Sequence, residues 1–245
     1  MLKASYTPYI LHFKVPSGTS RGVLTQKETY FLKVWDEHNP DCFGIGECAL
    51  FKGLGTDDRP DYEAMLQTVC RGIDRIDEID LSTWSSIRFG VETALLDLQH
   101  GGRRMIYPSE FTAGKQAIEI NGLIWMGDKR TMASRIDEKL ALLETISPQY
   151  IVLKPSLIGG FSGAEEWIEF ARNCRVGWWI TSALESNVGL NAIAQWTATL
   201  PINMPQGLGT GALYTNNIPS PLEQIGDELR YNPDKTWIFS MDSWK

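Results

Sequence analysis

From about residue 148 to residue 200 the chain repeats one unit, a short unbroken apolar run followed by an amphipathic stretch at helical spacing. "YIVLKP" leads to "GAEEWIEFARNC", and "VGWWITS" leads to "NVGLNAIAQWTATL". Strands that alternate with helices lie parallel and are covered on both faces, so they read as continuous apolar runs. No all-helical bundle or antiparallel sandwich has this pattern. The same grammar starts at Phe111, with "AIEINGLIW" as a strand and "TMASRIDEKLALLETIS" as a helix, and it ends in "PQGLGTG", a last short strand or loop. Ser162 followed by Glu165 predicts a capping box at the start of one helix, and Asn187 lies near the start of the next.

Residues 1–110 follow a different order, strands first and helices second. "GVLTQKETYFLKVWDE" and "CFGIGECAL" carry the β-branched and aromatic bias of strands, and a charged, glycine-rich loop follows them. In "DYEAMLQTVCRGIDRIDEI", Tyr62, Leu66, Val69, Ile73 and Ile76 fall on one helical face, with Asp61 placed to cap it. In "SSIRFGVETALLDLQHGG", Ile87, Val91, Ala94, Leu95 and Leu98 do the same, and Gly101 and Gly102 end the helix. The fold class is therefore α/β: an α+β unit over 1–110, then a β/α region over 111–245.

A hydrophobic content of 43% supplies a sizeable core. Twenty-three basic against thirty acidic side chains give a net charge of −7 with no basic block, so neither nucleic acid nor an anionic membrane surface is an expected partner. No apolar run approaches the roughly 20 residues that span a bilayer, and the N-terminus is too polar for a signal-peptide core. A cytoplasmic protein is expected. Cys42, Cys48, Cys70 and Cys174 are scattered, which fits reduced thiols rather than disulfides or a zinc site.

One residue stands out against the apolar grammar. Lys154 closes the strand "YIVLKP" just before Pro155 and the paired glycines Gly159 and Gly160. In β/α barrels the strand ends hold the reacting groups, and a cation there costs desolvation. The plain alternative is a snorkelling lysine whose amine reaches water or a structural carboxylate.

"FGIGECA" (43–49), "SSIRFGVETALLDL" (85–98), "IVLKPSLIGG" (151–160) and "ITSALESNVGL" (180–190), in that order, resemble the enolase superfamily, most closely its o-succinylbenzoate synthase branch. The resemblance implies a capping domain over 1–110 and a TIM-type barrel. It implies a dehydratase of menaquinone biosynthesis that abstracts a proton next to a carboxylate, holds the enediolate on Mg²⁺ and expels water. Lys154 matches the family's lysine that faces the intermediate. Ser182 matches a substrate contact at the seventh strand, with Glu185 and Ser186 as further candidates. Gly207 and Leu208 match a loop whose N–H groups bind a substrate carboxylate. Each has a plainer alternative: a turn or capping hydroxyl for Ser182, a solvated or structural carboxylate for Glu185, a turn for Gly207. The expected partner is a small carboxylate substrate.

The chain departs from that family in its middle. No K-x-K strand and no three strands ending in metal-ligating carboxylates are present, and Asp137, Glu138 and Glu144 fall in a helical pattern. Residues 111–245 are too few for the about 250 of a complete barrel. Only strands resembling the first, sixth, seventh and eighth are found; strands two to five are expected to be absent, with the join near Leu140–Ala141, where Met132, Ile136, Leu140 and Leu143 keep helical spacing. Mg²⁺ is the family cofactor, yet no metal ligands are assigned, and the 245-residue chain is expected to lack turnover. Two alternatives stay open: another superfamily activity (an epimerase or cycloisomerase), or a non-catalytic, homo-oligomeric remnant. "GLGTGA" (207–212) satisfies a dinucleotide fingerprint but is followed by "LYTNNIPSP" in place of a helix. His12, His38 and His100 are expected to be surface or packing residues.

Overall fold

The computed structural model describes residues 1–19, 22–121, 143, 146 and 148–239. The chain begins with an antiparallel sheet of three strands, β1 (Leu2–Thr19), β2 (Gly22–Asp36) and β3 (Asn39–Cys48), with β2 in the middle. Pattern reading does not find β1, because Pro8 and Pro16 interrupt it. Both prolines are tolerated since β1 is an edge strand, where an absent N–H breaks no ladder on the outer side, and its register shifts between His12 and Ser17.

Helices α1 (Tyr62–Gly72) and α2 (Ser85–Gln99) follow. The long helix expected from Asp61 onward is divided: it stops at Gly72, a poor helix former, and continues as a 3₁₀ turn, Ile73–Glu78, with Arg75 outside helical φ/ψ. Asp61 occupies the N-cap position but makes no capping bond. Its carboxylate accepts from the Arg59 guanidinium at 2.6 and 3.0 Å instead.

Period-two alternation sorts the faces of the sheet. Tyr30, Leu32 and Val34 share a core with Leu66, Val69, Ile87 and Val91 of the two helices. Phe31 and Ile45 point the other way, onto Val188 and Ile218. On β3 a Cβ at Gly44 would lie 1.9 Å from the Ala94 carbonyl oxygen and one at Gly46 1.8 Å from that of Gly90. The motif "FGIGEC" thus lets α2 rest on strand backbone, while Ile45 and Glu47 project from the opposite face.

The second half contains β4 (Ile118–Glu119), β5 (Tyr150–Leu153), α3 (Gly160–Asn173), β6 (Gly177–Ile180), α4 (Asn187–Thr197) and the hairpin β7 (Leu222–Ile225) and β8 (Glu228–Tyr231). β5 pairs in parallel with β6; beyond it Thr181 bridges Gly207, and Gln206 bridges Ile120, both in parallel. Four chain segments therefore form one arc, in the order β5, β6, residues 206–207, β4. Its outer face packs on α3 and α4 through Ile118, Leu153, Ile180, Leu208, Phe161 and Trp196. Its inner face carries Tyr150 and Val152, 60% and 46% exposed. Leu143 is buried in the outer core; the expected join at Leu140–Ala141, with Met132, Ile136, Asp137, Glu138 and Glu144, lies outside the described residues.

The capping box is corrected. Helix α3 begins at Gly160 with Gly159 as its N-cap, and no side chain of its own caps it. Glu92 of α2 does so from across the interface, accepting from the N–H groups of Phe161 at 2.6 Å and Ser162 at 3.2 Å. Both glycines have positive φ, and a Cβ on Gly160 would meet the Glu92 carboxylate at 2.1 Å. Ser162 accepts from Arg88, and Glu165 accepts from Trp196. The cysteines are free thiols. Among the described residues no helix is long and apolar enough to cross a membrane.

Candidate active site

Alternation along β5 turns Ile151 and Leu153 toward α3, so Val152 and Lys154 face the inside of the arc. The 3₁₀ turn Pro155–Leu157 then carries the chain away, with the Leu157 N–H donating to the Lys154 carbonyl at 2.8 Å. The Lys154 amine is largely buried. Burial pushes its pKa below the ordinary lysine value, and the nearby Glu185 carboxylate opposes that shift. An amine reaching into water would show little of this effect; the buried Glu185 matches the structural carboxylate of the plain alternative.

Glu185 is fully buried, which removes the solvated alternative. It accepts hydrogen bonds from the Ser156 hydroxyl and, at 2.8 Å, from the Ala183 N–H. The loop can present it this way because Leu184 adopts a left-handed φ of 64°. Ser182 lies one residue beyond the bridge to Gly207; its hydroxyl accepts from the Leu184 N–H at 2.9 Å and is 2.8 Å from the Thr210 hydroxyl. It is thus the turn hydroxyl that the plainer alternative described, at the strand end that the resemblance indicated. Ser186 caps α4, accepting from the Val188 N–H at 3.1 Å.

The expectation for Gly207 needs correction. Its N–H donates to the Ile180 carbonyl at 2.8 Å and its carbonyl accepts from the Ser182 N–H at 3.1 Å, so both groups are committed to the strand ladder. Any backbone donor for a carboxylate falls to Leu208, whose side chain is buried in the outer core. No helix follows residues 207–212 before β7, as a dinucleotide site would require. His12 and His38 are exposed, and the His100 ring bonds the Leu96 carbonyl.

The capping sheet adds groups that sequence reasoning missed. Glu47 reaches across to α4, and each of its oxygens accepts two hydrogen bonds: Oε1 from Thr29 and the Ser186 N–H, both 2.9 Å, and Oε2 from the Ser186 hydroxyl at 2.5 Å and the Gly189 N–H at 2.9 Å. Lys27 is only 6% exposed, and its Nζ has no hydrogen-bond partner. Burial lowers its pKa, opposed by Glu47 and Glu185. Tyr214 donates to the Leu184 carbonyl at 2.7 Å; burial and the same two carboxylates raise its pKa. Alternation could have found Lys27 and Glu47, since each shares a strand face with a buried partner, Phe31 and Ile45 respectively.

Two buried amines, Lys27 and Lys154, thus lie near two buried carboxylates: Glu47, held by the start of α4, and Glu185, held by Ser156 and the Ala183 N–H. Among the described residues no group of three or more His, Cys, Asp or Glu side chains could hold a metal ion.

The o-succinylbenzoate synthase of Desulfotalea psychrophila is 32% identical to this chain over 366 residues, covering 93% of this chain and 98% of that protein. The chain belongs to the o-succinylbenzoate synthase family. These are enolase-superfamily enzymes, lyases by the reaction that names them. The crystal structure of MenC from the same organism matches with a TM-score of 0.77 at 29% identity, covering 94% of this chain and 99% of that one. The L-Ala-D/L-Glu epimerase of Bacillus subtilis shares the fold, with a TM-score of 0.70 at 14% identity over 96% of this chain and 98% of its own. A dipeptide epimerase from Enterococcus faecalis, crystallised with Mg and L-Leu-L-Tyr, also has a TM-score of 0.70, at 10% identity over 94% of this chain and 97% of its own. No protein-family model matches the chain.

Proposed function

We propose that this member of the o-succinylbenzoate synthase family keeps the carboxylate-binding side of the site and lacks the metal side. Lys154 carries the proposal. Its amine is desolvated at a strand end, on the inner face of the arc, one strand away from Ser182 and two from Leu208. A cation so placed faces an anion at the moment charge develops. The substrate class is the cyclohexadiene carboxylate whose dehydration gives o-succinylbenzoate, on the way to menaquinone in the cytoplasm.

Mg²⁺ would supply the remaining stabilisation in the family reaction, and the described residues offer no ligand set for it. The alignment with the Desulfotalea enzyme runs over 366 positions although this chain has 245 residues, so many residues of that relative have no counterpart here. This supports a barrel shortened in its middle, where the family's metal carboxylates would stand. We infer that the 245-residue chain binds the product carboxylate and does not turn over. The test is Mg²⁺-dependent loss of the cyclohexadiene chromophore, with o-succinylbenzoate binding followed by calorimetry on the same protein. Binding without chromophore loss supports the reading; metal-dependent turnover would place functional ligands in this chain and overturn it.

A further inference from the structure

Lys27 is the most anomalous side chain that this reading leaves unused. It lies on β2, two residues from Thr29 and four from Phe31, so alternation sets it on the face turned toward α4 and the strand ends. An ammonium taken out of water costs several kcal/mol unless a partner compensates it. The nearest explanation is an ion pair with Glu47, but the hydrogen bonds contradict it. Both Glu47 oxygens already accept two donors each, three of the four from the start of α4, and Lys27 Nζ makes no hydrogen bond. Glu47 is thus matched to the positive end of that helix. What remains is Lys27 from the cap and Lys154 from the barrel, with Glu185 as the one carboxylate that acts on both. The two ammonium groups and the two carboxylates, Glu47 and Glu185, balance in charge, but Glu47 is taken up by other donors, so the N–H groups of the buried Lys27 ammonium stay unsatisfied and a ligand carboxylate is the group that would accept from them.

We propose that Lys27 is a carboxylate-binding residue, supplied by the capping sheet to the same site that Lys154 serves from the barrel. The ligand class is a small organic acid that places one carboxylate between the two amines. This deepens the functional reading above and rests on it for the role of Lys154. It gives the cap a direct part in ligand capture, because a ligand carboxylate would bridge the two halves of the chain.

Calorimetry on the full 245-residue chain, with o-succinylbenzoate, succinate and benzoate as separate probes, tests it. Lys27→Met should weaken the best-bound probe by about tenfold or more, as expected for loss of a charged contact, and Lys27→Arg should restore most of the affinity. Lys115→Met, at an exposed lysine, should change nothing. Unchanged affinity in folded Lys27→Met, or no binding of any probe by the wild type, overturns the proposal. If Lys27→Met does not fold, the ¹³Cε resonance of Lys27 in the wild type decides: it should move as the probe saturates, and a fixed resonance at saturation overturns the proposal. Lys27-dependent binding of succinate or benzoate with no binding of o-succinylbenzoate would keep Lys27 and sink the functional reading instead.

Discussion

The capping sheet and the barrel arc are both small sheets, yet they are finished differently. The cap sheet is covered on both faces, by α1 and α2 on one side and by Val188 and Ile218 on the other. The arc is covered by α3 and α4 on its outside, while Tyr150 and Val152 remain exposed inside. Polar ties between the halves run mostly from cap to barrel helix: Glu47 to α4, Glu92 to α3, and Gln195 and Asn191 to the Arg104 carbonyl. The arc is therefore held in place through its helices, which leaves its inner strand ends free to carry Lys154.

The largest test of this contrast is Glu47→Ala. It strips α4 of its capping carboxylate and leaves the buried Thr29, Ser186 and Gly189 donors unpaired, so a cost of about 3–5 kcal/mol is expected, at about 1–3 kcal/mol for each buried donor left unsatisfied, read from urea unfolding. Neighbours on β5 should then split. Leu153→Ala should cost about 2–5 kcal/mol, the range for buried leucines, whereas Val152→Ala on the exposed face should stay within about 0.5 kcal/mol. Equal costs would mean that the inner face is covered in solution. Next comes Gly46→Ala, which presses a Cβ against the Gly90 carbonyl and should cost about 1–3 kcal/mol by overpacking; a neutral result would show that α2 can lift off β3.

The smallest effect is in pH. Lys154 has a folded pKa below its unfolded value, because burial disfavours the charged form. In the window between those two values the unfolded chain binds more protons, so this group's contribution to stability rises with pH as the unfolded lysine value is approached. The stability difference between wild type and Lys154→Met should shift toward wild type from pH 7 to pH 10 in urea titrations. A flat or opposite trend would mean the amine is solvated.

What the sequence reveals differs between the same two regions. The β/α alternation, the two cap helices and the position of Lys154 are readable because each rests on local periodicity. Glu47 and Lys27 are not readable by propensity, since their meaning lies in which face of a strand meets α4, and that contact spans 139 residues between Glu47 and Ser186. β1 is masked in the sequence by prolines that an edge strand accepts. The hairpin β7–β8 carries one local signal, the two-residue turn Gly226–Asp227 with Gly226 at a φ of 62°, between strands too short to show a pattern. Gly207 looked like a donor because sequence cannot say which N–H groups a ladder has already taken.

The central claim is that Lys154 is a desolvated amine placed to face an anion. It is tested most directly by following the Lys154 ¹³Cε resonance through a pH titration of the intact chain, with and without o-succinylbenzoate. We predict a midpoint below the ordinary lysine value, moving upward when the ligand is bound. A midpoint at the ordinary lysine value and indifferent to ligand would contradict the account.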